Sequence, residues 1–344
     1  MVVTHKDIAE AAGVTTTSVS LALNGKKGVA RDVRKRILKA ARDLGYRDVV
    51  ADGFVDGYPP AIRMVRVIQR GRRISREHEI FISDYFEGAE EEAQRLGYIL
   101  ELSHLRGIPA AEYLRNSFHE ALQGLIILGT EMSPQNGRTF EGSGASKIPA
   151  VFINGGETGV CDSVGFDHYA AAALGIKHLT ENNYGEIGLV RSKSSSTILN
   201  RRQRAFKAVM ENLGMKGGDD YIFAVEPDFL GAYRNMTDWL RKNRRIPAGL
   251  VCDTDIVACA CLKALTESGY KVPQETGILG CDDLPCSAIS TPRLTTIRFS
   301  RKKMGAEAVR LLHDRIQDQS CWAPIKVQVG GELVIRESAG ERKG

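Results

Sequence analysis

Residues 6–23 read KDIAEAAGVTTTSVSLAL and contain two short helical patterns joined at a glycine. Four apolar residues share one face of the first pattern: Ile8, Ala9, Ala11 and Ala12. Gly13 follows them and supplies the left-handed backbone that often ends a helix. Thr15 stands where the N-cap of the second helix would lie. Two short helices joined by such a turn predict a helix-turn-helix, whose second helix lies in the major groove of DNA.

The apolar spacing continues through two more segments. The second helix carries the core candidates Val19, Ala22 and Leu23, with Leu21 only partly buried, and Asn24-Gly25 ends it. A third helix is predicted from about Arg31 to Leu44. Its core candidates lie at helical spacing: Val33, Ile37, Leu38, Ala41 and Leu44. Gly45 ends that helix, which completes a three-helix head.

Positive charge is concentrated in this head. Residues 1–48 hold ten Lys and Arg against five Asp and Glu, a net charge of +5. The whole 344-residue chain also carries +5, so the remainder is neutral overall. A basic module on a neutral body is typical of a nucleic-acid-binding protein. A helical bundle that binds protein is the alternative reading.

The second helix offers two kinds of DNA contact. Thr16 and Thr17 face base edges at its N-terminus, where a hydroxyl can hydrogen-bond and a methyl can meet thymine, and Leu21 adds apolar contact. Other side chains suit phosphate oxygens, which position the protein without reading sequence: Ser18, Ser20, Asn24, Lys26 and Lys27.

Residues 4–47 resemble the head of the LacI/GalR family of bacterial transcriptional regulators. The resemblance lies in Lys6-Asp7-Ile8-Ala9-Glu10-Ala11-Ala12-Gly13-Val14-Thr15, Val19-Ser20, Leu23-Asn24-Gly25, Gly28-Val29 and Ala40-Ala41-Arg42-Asp43-Leu44-Gly45-Tyr46. The resemblance implies that residues 1–47 form a DNA-binding domain. It also implies that four further residues contact DNA: Thr4, Lys6, Thr15 and Val29. Leu21 replaces the Arg that is usual there, which suggests a different operator preference.

Residues 48–60 form a linker. The family places a hinge helix here that inserts an apolar side chain into the minor groove. By position Phe54 or Val55 would be that wedge, but Gly53 and Gly57 each weaken a helix by roughly 1 kcal/mol. Three aspartates would also repel phosphate: Asp48, Asp52 and Asp56. A flexible linker is an equally good interpretation.

From residue 61 onward strand-like runs alternate with helical patterns. The predicted strands are Met64–Ile68, Tyr98–Leu102, Gly124–Leu128, Ala150–Ile153, Ser163–Phe166, Glu186–Val190, Tyr221–Val225, Gly249–Cys252, Thr276–Gly280, Thr295–Ile297 and Glu332–Ile335. Helices between them include Asp84–Leu96, Tyr169–Glu181, Asn200–Leu213, Asp255–Ser268 and Lys302–Gln317. The alternation predicts an α/β fold with two doubly wound parallel sheets and a ligand cleft between them. The subdomains are expected near 61–166, with 299–318 crossing over, and 167–298.

This body resembles the periplasmic-binding-protein-like effector domain of the same family, most specifically in Gly280-Cys281-Asp282-Asp283 and Thr291-Pro292-Arg293-Leu294-Thr295-Thr296-Ile297. The resemblance implies effector contacts from Arg202, Asp282, Thr254, Asp255, Asn154 and Phe81. An Arg fork suits a sugar hydroxyl pair or a carboxylate. Asp255 as a helix cap, and Asp282 or Asp283 as a loop brace, are alternatives.

The resemblance implies a homodimer, with a tetramer also open, on a pseudo-palindromic operator. The implied effector is a sugar or sugar derivative. No nucleophile elbow, Walker loop or zinc-protease motif occurs, so an enzyme is disfavoured. We expect no cofactor, no bound metal and reduced thiols at the seven cysteines. No apolar run of membrane length and no leader pattern is present, which predicts a cytoplasmic chain. A solute-binding receptor, or an enzyme-like sensor without specific DNA binding, is the alternative.

Overall fold

The computed structural model describes residues 3–23, 28–44, 46, 60–68, 76–106, 113, 121–130, 148–155, 161–194, 196–215, 221–242, 245–318 and 323–342, without the side chains of 31, 35, 42 and 76–81. Contacts divide the chain into two compact units. The first comprises Met1–Gly129, Gln135–Ser163 and Arg301–Ile325. The second comprises Thr130–Pro134, Val164–Ser300 and Lys326–Gly344.

Three helices form the head: α1 (His5–Ala12), α2 (Thr16–Leu23) and α3 (Arg31–Asp43). They share a core of Ile8, Ala9, Ala12, Val19, Ala22, Leu23, Ile37, Leu38 and Ala41. The prediction that Ala11 and Leu44 lie in this core is wrong. Ala11 is exposed, because it lies about 100° around α1 from the centre of the buried face. Leu44 is 41% exposed, because α3 ends at Asp43 and the next residue leaves the helical face.

The remaining helices are α4 (Arg76–Arg95), α5 (His168–Glu181), α6 (Thr197–Asn212), α7 (Phe229–Arg241), α8 (Asp255–Glu267), α9 (Pro285–Ile289) and α10 (Arg301–Gln317). The strands are β1 (Ala61–Ile68), β2 (Ile99–Arg106), β3 (Leu122–Leu128), β4 (Ala150–Ile153), β5 (Asp162–Phe166), β6 (Ile187–Ser192), β7 (Ile222–Val225), β8 (Gly249–Cys252), β9 (Gly277–Cys281), β10 (Thr295–Phe299), β11 (Lys326–Val329) and β12 (Gly331–Val334).

One sheet has the strand order β11-β5-β4-β3-β1-β2 within the described residues. Strand β1 pairs in parallel with β2 and β3, and β3 pairs in parallel with β4. In the first unit α4 packs directly against α10. A Cβ on Gly88 would lie 1.8 Å from the carbonyl oxygen of Lys302, and one on Gly305 would lie 2.0 Å from that of Tyr85. Both glycines are therefore needed for the close approach of these helices.

The sheet of the second unit runs β12-β10-β9-β8-β6-β7 over the described strands. Its pairs are parallel except for β10 with β12, which is antiparallel. The order reverses at β6, which has β7 on one side and β8 on the other. In such sheets the crevice at the carboxyl ends of the strands, where the order reverses, is the usual ligand position.

The predicted fold class is confirmed: a helix-turn-helix head and an α/β body with two largely parallel sheets. Every predicted strand overlaps an observed one. Strand β11 was missed, because its four residues, Lys-Val-Gln-Val, carry too short an apolar pattern. Helix α4 begins at Arg76, eight residues before the predicted start.

Candidate functional site

A reciprocal cap orders the start of α1. The Thr4 backbone N–H donates to Asp7 Oδ2 at 2.8 Å, and the Asp7 N–H donates to Thr4 Oγ1 at 3.4 Å. Hydrogen bonds from Thr4 lower the pKa of Asp7. Gly13 ends the helix with φ 65°. The exposed ammonium of Lys6 lies in the first turn of this capped helix.

Side-chain hydrogen bonds also cap both ends of α2. Thr15 Oγ1 accepts from the Ser18 N–H at 3.1 Å, so the predicted N-cap is present. At the other end Arg34 of α3 donates from Nη1 to the carbonyl oxygen of Ala22 at 3.0 Å. Burial lowers the pKa of Arg34. This buried cation at the C-terminus of α2 complements the negative end of the helix dipole, and sequence reasoning did not single it out.

Helix α2 presents a polar face opposite its core residues. Thr15, Thr16 and Thr17 are exposed, as are the predicted contacts Thr4 and Lys6 of α1 and its cap. The remaining predicted contacts within the described residues are half-buried: Ser18, Ser20, Leu21 and Val29. Leu21 Cδ1 would lie 3.6 Å from a Cβ on Gly28. The predicted contacts Asn24, Lys26, Lys27, Phe54 and Val55, and most of the linker, lie outside the described residues.

In the second unit polar groups meet at the β6/β8 crevice. Asp253 directly follows β8 and is 3% exposed. Its carboxylate accepts from the Ser192 N–H at 2.6 Å and from Ser192 Oγ at 2.9 Å, at the end of β6. Burial raises the pKa of Asp253 to about 6, although the Ser192 bonds and the charge of Arg202 oppose this. Sequence reasoning missed Asp253, although its place directly after a strand was a usable signal.

Arg202 and Asp282 form the central pair of this unit. Arg202 lies on α6, and Asp282 follows β9. Arg202 Nη2 donates to Asp282 Oδ1 at 2.6 Å, and Nη1 donates to Oδ2 at 3.2 Å and to the carbonyl oxygen of Asp253. Burial is the largest single effect and by itself would lower the pKa of Arg202, but the charge of Asp282, its hydrogen bond and the charges of further neighbours such as Asp253 together raise the pKa above its usual range. Asp282 has φ 124°, a strained conformation for a residue with a side chain.

Asp255 braces the loop that carries Asp282. It is fully buried, and its oxygens accept from Thr296 Oγ1 at 2.5 Å, from the Leu284 N–H at 2.7 Å and from Ser287 Oγ at 2.9 Å. Burial and the charge of Asp282 raise the pKa of Asp255 to about 6. Thr254 caps α8, because its Oγ1 accepts from the Val257 N–H at 3.3 Å. The cap of α8 is therefore Thr254 and not Asp255, as the alternative had it, and Asp255 itself braces the loop. Effector contact by Asp255 and Thr254 stays a prediction.

A cavity of about 40 Å³ lies beside the Arg202 guanidinium in the second unit. Its wall is mainly apolar and includes Phe206, Leu279 and Phe299. Two buried polar atoms of its lining have no hydrogen-bond partner, His168 Nδ1 and Arg202 Nε. Burial, together with the charges of Arg202 and Arg201, lowers the pKa of His168 to about 3, so this imidazole is neutral. The volume is enough for a few water molecules or a small neutral group.

Asn154 belongs to the first unit. It follows β4 with φ 56° and is buried, and its Nδ2 donates to the hydroxyl of Tyr85 on α4 at 2.9 Å. Its Oδ1 has no hydrogen-bond partner. The side chain of Phe81 lies outside the described residues. Effector contact by either residue stays a prediction.

The described ranges carry no sign of a membrane-spanning helix or a metal centre. No helix there is both long and apolar enough to cross a bilayer. No group of three or more His, Cys, Asp or Glu residues in the same ranges is placed to hold a metal ion. Six of the seven cysteines are described, and all are free thiols: Cys161, Cys252, Cys259, Cys261, Cys281 and Cys286.

A capped helix-turn-helix joined to an α/β body with polar residues at a strand-order reversal defines a ligand-responsive DNA-binding protein. Residues 4–48 match the family model for bacterial regulatory proteins of the lacI family. Residues 176–339 match the model for the periplasmic binding protein-like domain. The chain therefore carries a lacI-family helix-turn-helix domain and a periplasmic binding protein-like domain, the make-up of a DNA-binding transcriptional repressor with an effector-binding domain.

Similar proteins span nearly the whole chain. The HTH-type transcriptional repressor PurR of Haemophilus influenzae (strain PittEE) is 28% identical over 342 residues, which cover 97% of this chain and 98% of that repressor. The Lac repressor dimer bound to operator and the anti-inducer ONPF superposes with TM-score 0.71 at 20% identity, covering 99% of this chain and 100% of that one. The structure of the transcriptional regulator CelR–cellobiose complex superposes with TM-score 0.65 at 19% identity, covering 98% of this chain and 99% of that one. The two structures show the shared fold.

Proposed function

We propose that this repressor binds a pseudo-palindromic operator as a homodimer and responds to a neutral, hydroxyl-bearing effector, a sugar or sugar derivative. The effector binds at the Arg202–Asp282 pair. The observation that carries this proposal is the buried two-bond fork between those side chains at the carboxyl end of β9. A guanidinium beside a carboxylate offers donors and acceptors next to each other, which complements a vicinal diol.

Charge balance favours a neutral effector over an anion. The positive charge of Arg202 is already compensated by Asp282 at 2.6 Å, and Asp253 lies against the same guanidinium. An anionic ligand would have to displace a carboxylate from a buried site, which leaves that carboxylate unpaired at a cost of several kcal/mol. A sugar can instead hydrogen-bond to both partners. The CelR structure, which contains cellobiose, supports this ligand class for the fold.

For DNA, we propose a head of residues 1–47, a linker of 48–60 and an effector and dimerisation domain of 61–344. Thr16, Thr17 and Leu21 read base edges: Thr17 and Leu21 project from the side of α2 opposite its core, and Thr16 is exposed in its first turn. Lys6, Ser18 and Ser20 contact phosphate. Phe54 or Val55 of the linker is the minor-groove wedge. As an operator-binding protein the chain acts in the cytoplasm.

The test uses the full-length protein. A binding site is first selected from random duplexes, and its retention is measured at two salt concentrations. Neutral sugars, sugar acids and sugar phosphates are then screened by thermal shift, since a specific binder raises the melting temperature by mass action. We expect a neutral sugar to stabilise the protein and to change operator affinity. Stabilisation by sugar phosphates alone would contradict the neutral effector, and retention without sequence selectivity would contradict operator binding.

A further inference from the structure

Two pairs of cysteines interact in the second unit. Cys286, the second residue of α9, packs against the apolar cluster that contains Cys259 of α8, and the two thiols interact side chain to side chain. Cys252 of β8 and Cys261 of α8 form the other pair. Cys286 is half-buried and Cys259 is 7% exposed, whereas Cys252 and Cys261 are 1% and 0% exposed. Of these four cysteines, Cys286 is the most exposed residue.

The local environment divides the first pair into unequal partners. The hydrogen bond from Cys259 is the main cause that lowers the pKa of Cys286, against the opposing effect of burial. The same contact, together with burial, raises the pKa of Cys259. Burial chiefly raises the pKa of Cys252 in the other pair. Cys286 is also the more exposed of the two, so it is the thiol that a dissolved oxidant reaches first, and the buried Cys259 beside it is placed to act as the resolving thiol.

We propose that Cys286 is a thiol modification site, oxidised by hydrogen peroxide and closed into a disulfide by Cys259. In the first step the Cys286 thiolate attacks one peroxide oxygen, the O–O bond breaks, and Cys286 sulfenic acid and water form after proton uptake. In the second step the Cys259 thiol attacks the sulfenic sulfur, an S–S bond forms, and the sulfenic oxygen leaves as water. Two thiols are oxidised and one peroxide is reduced to two waters.

The disulfide would form beside the loop that carries Asp282. Cys286 is four residues after Asp282 in the chain. Helix α9 is tied to α8 through Asp255, which accepts from the Leu284 N–H at 2.7 Å and from Ser287 Oγ at 2.9 Å. A covalent link from Cys259 to Cys286 joins the same two helices. The modification therefore acts on the support of the Arg202–Asp282 pair rather than on the pair itself.

The experiment uses reduced full-length protein in which Cys161→Ser and Cys321→Ser remove two other thiols. After treatment with hydrogen peroxide, free thiols are blocked with N-ethylmaleimide and the protein is digested with trypsin. Cys259 falls in peptide 246–263 and Cys286 in peptide 272–293. We expect these peptides to be cross-linked, and fragmentation to place the bond on Cys259 and Cys286 rather than on their other cysteines.

Three variants make the result decisive. Cys286→Ser should abolish the cross-link, Cys259→Ser should leave Cys286 as a sulfinic acid, and the matched control Cys261→Ser should leave the cross-link unchanged. In the untreated native protein N-ethylmaleimide should label Cys286 about tenfold faster than Cys259. Absence of the cross-link, its persistence in Cys286→Ser, or equal labelling of the two thiols would overturn the proposal. The labelling measurement needs no substitution at either cysteine, so misfolding of a variant cannot explain its result.

Discussion

Arg202 and Asp282 meet in a fork of two hydrogen bonds, 2.6 and 3.2 Å long, with side chains only 8% and 5% exposed. Such a pair is costly to bury and costly to break, because loss of one partner leaves the other charge without compensation. The contribution of the Arg202–Asp282 pair to the free energy of unfolding and its proposed role in effector binding can be measured separately.

Arg202→Ala should lower the free energy of unfolding by about 3–5 kcal/mol, because Asp282 is left buried and unpaired. The double variant Arg202→Met/Asp282→Leu should recover part of that loss. Operator should still be bound by Arg202→Ala under conditions where it remains folded, but the effector should no longer change its affinity. Urea unfolding and duplex retention are the measurements.

The control for that variant is Lys193→Ala. Lys193 and Glu226 form a pair at 3.0 Å in which both side chains are almost half exposed, so the loss should be no more than about 1 kcal/mol. Equal losses for Lys193→Ala and Arg202→Ala would show that burial of the Arg202 pair has no energetic consequence. Unchanged induction in Arg202→Ala would remove Arg202 from the effector site.

Thr17→Ala should change operator affinity in a sequence-dependent way, because Thr17 lies exposed near the N-terminus of α2 where base edges are read. A good base contact is worth about 1–3 kcal/mol at one position of the site. Affinities for a series of single-base operator variants test this. A uniform loss over all duplexes would make Thr17 a backbone contact.

Lys6→Ala should behave differently, because an exposed ammonium contacts phosphate and carries no sequence information. We expect similar weakening on every duplex and a decrease of about 1 in the slope of log affinity against log salt. The slope is obtained from retention at several salt concentrations. A slope identical to that of the unchanged protein would show that Lys6 makes no phosphate contact.

His168 should make stability depend on pH. Burial lowers its folded pKa to about 3, while the unfolded value is about 6.5. Below pH 6.5 the unfolded chain therefore takes up a proton that the folded chain does not. The contribution of His168 to the free energy of unfolding is complete above pH 6.5. It is lost at about 1.4 kcal/mol per pH unit as the pH falls toward 3.

The test compares the original protein with His168→Gln between about pH 7 and 5. The raised pKa values of Asp253 and Asp255, both about 6, act in the opposite direction between about pH 4 and 6 and are present in both proteins. The difference in slope thus isolates His168. Parallel pH profiles would contradict a neutral, buried imidazole.

Gly13→Ala should destabilise the head by about 1 kcal/mol, because Gly13 has φ 65° and an added Cβ would meet nothing within 4 Å. The cost is then conformational rather than steric. Amide hydrogen exchange in α1 and α2 should become several-fold faster. Gly185→Ala is the matched control, equally open but without a left-handed backbone, and should leave exchange in its own segment unchanged or slower. Similar acceleration in both variants would refute the argument.

Much of the fold was predictable because its signals are local. Apolar runs such as Gly249–Cys252 are strands whichever neighbours they find, and Thr15 caps α2 through the residue three positions on. The error at Ala11 was itself local. Ala11 lies about 100° around α1 from the centre of the face made by Ile8, Ala9 and Ala12, so helical spacing, applied strictly, excludes it from the core.

The candidate site was predictable only in part. Arg202 and Asp282 were recognised by resemblance, but nothing in the sequence says that they bind each other across 80 positions. Asp253 and His168 were missed, because an acid after a strand and a histidine at a helix start are ordinary residues until burial removes them from water. Their shifted pKa values are consequences of that burial.

By itself the sequence determined the three-helix head, its positive charge, the alternation of strands and helices and the family. These depend on residue type and on spacings of a few positions, which every chain with this pattern shares. Only the tertiary structure decided that Asp253 accepts a hydrogen bond from Ser192 and that Asp282 accepts hydrogen bonds from the guanidinium of Arg202. The order of strands in a sheet brings distant residues together, and no local spacing encodes that order.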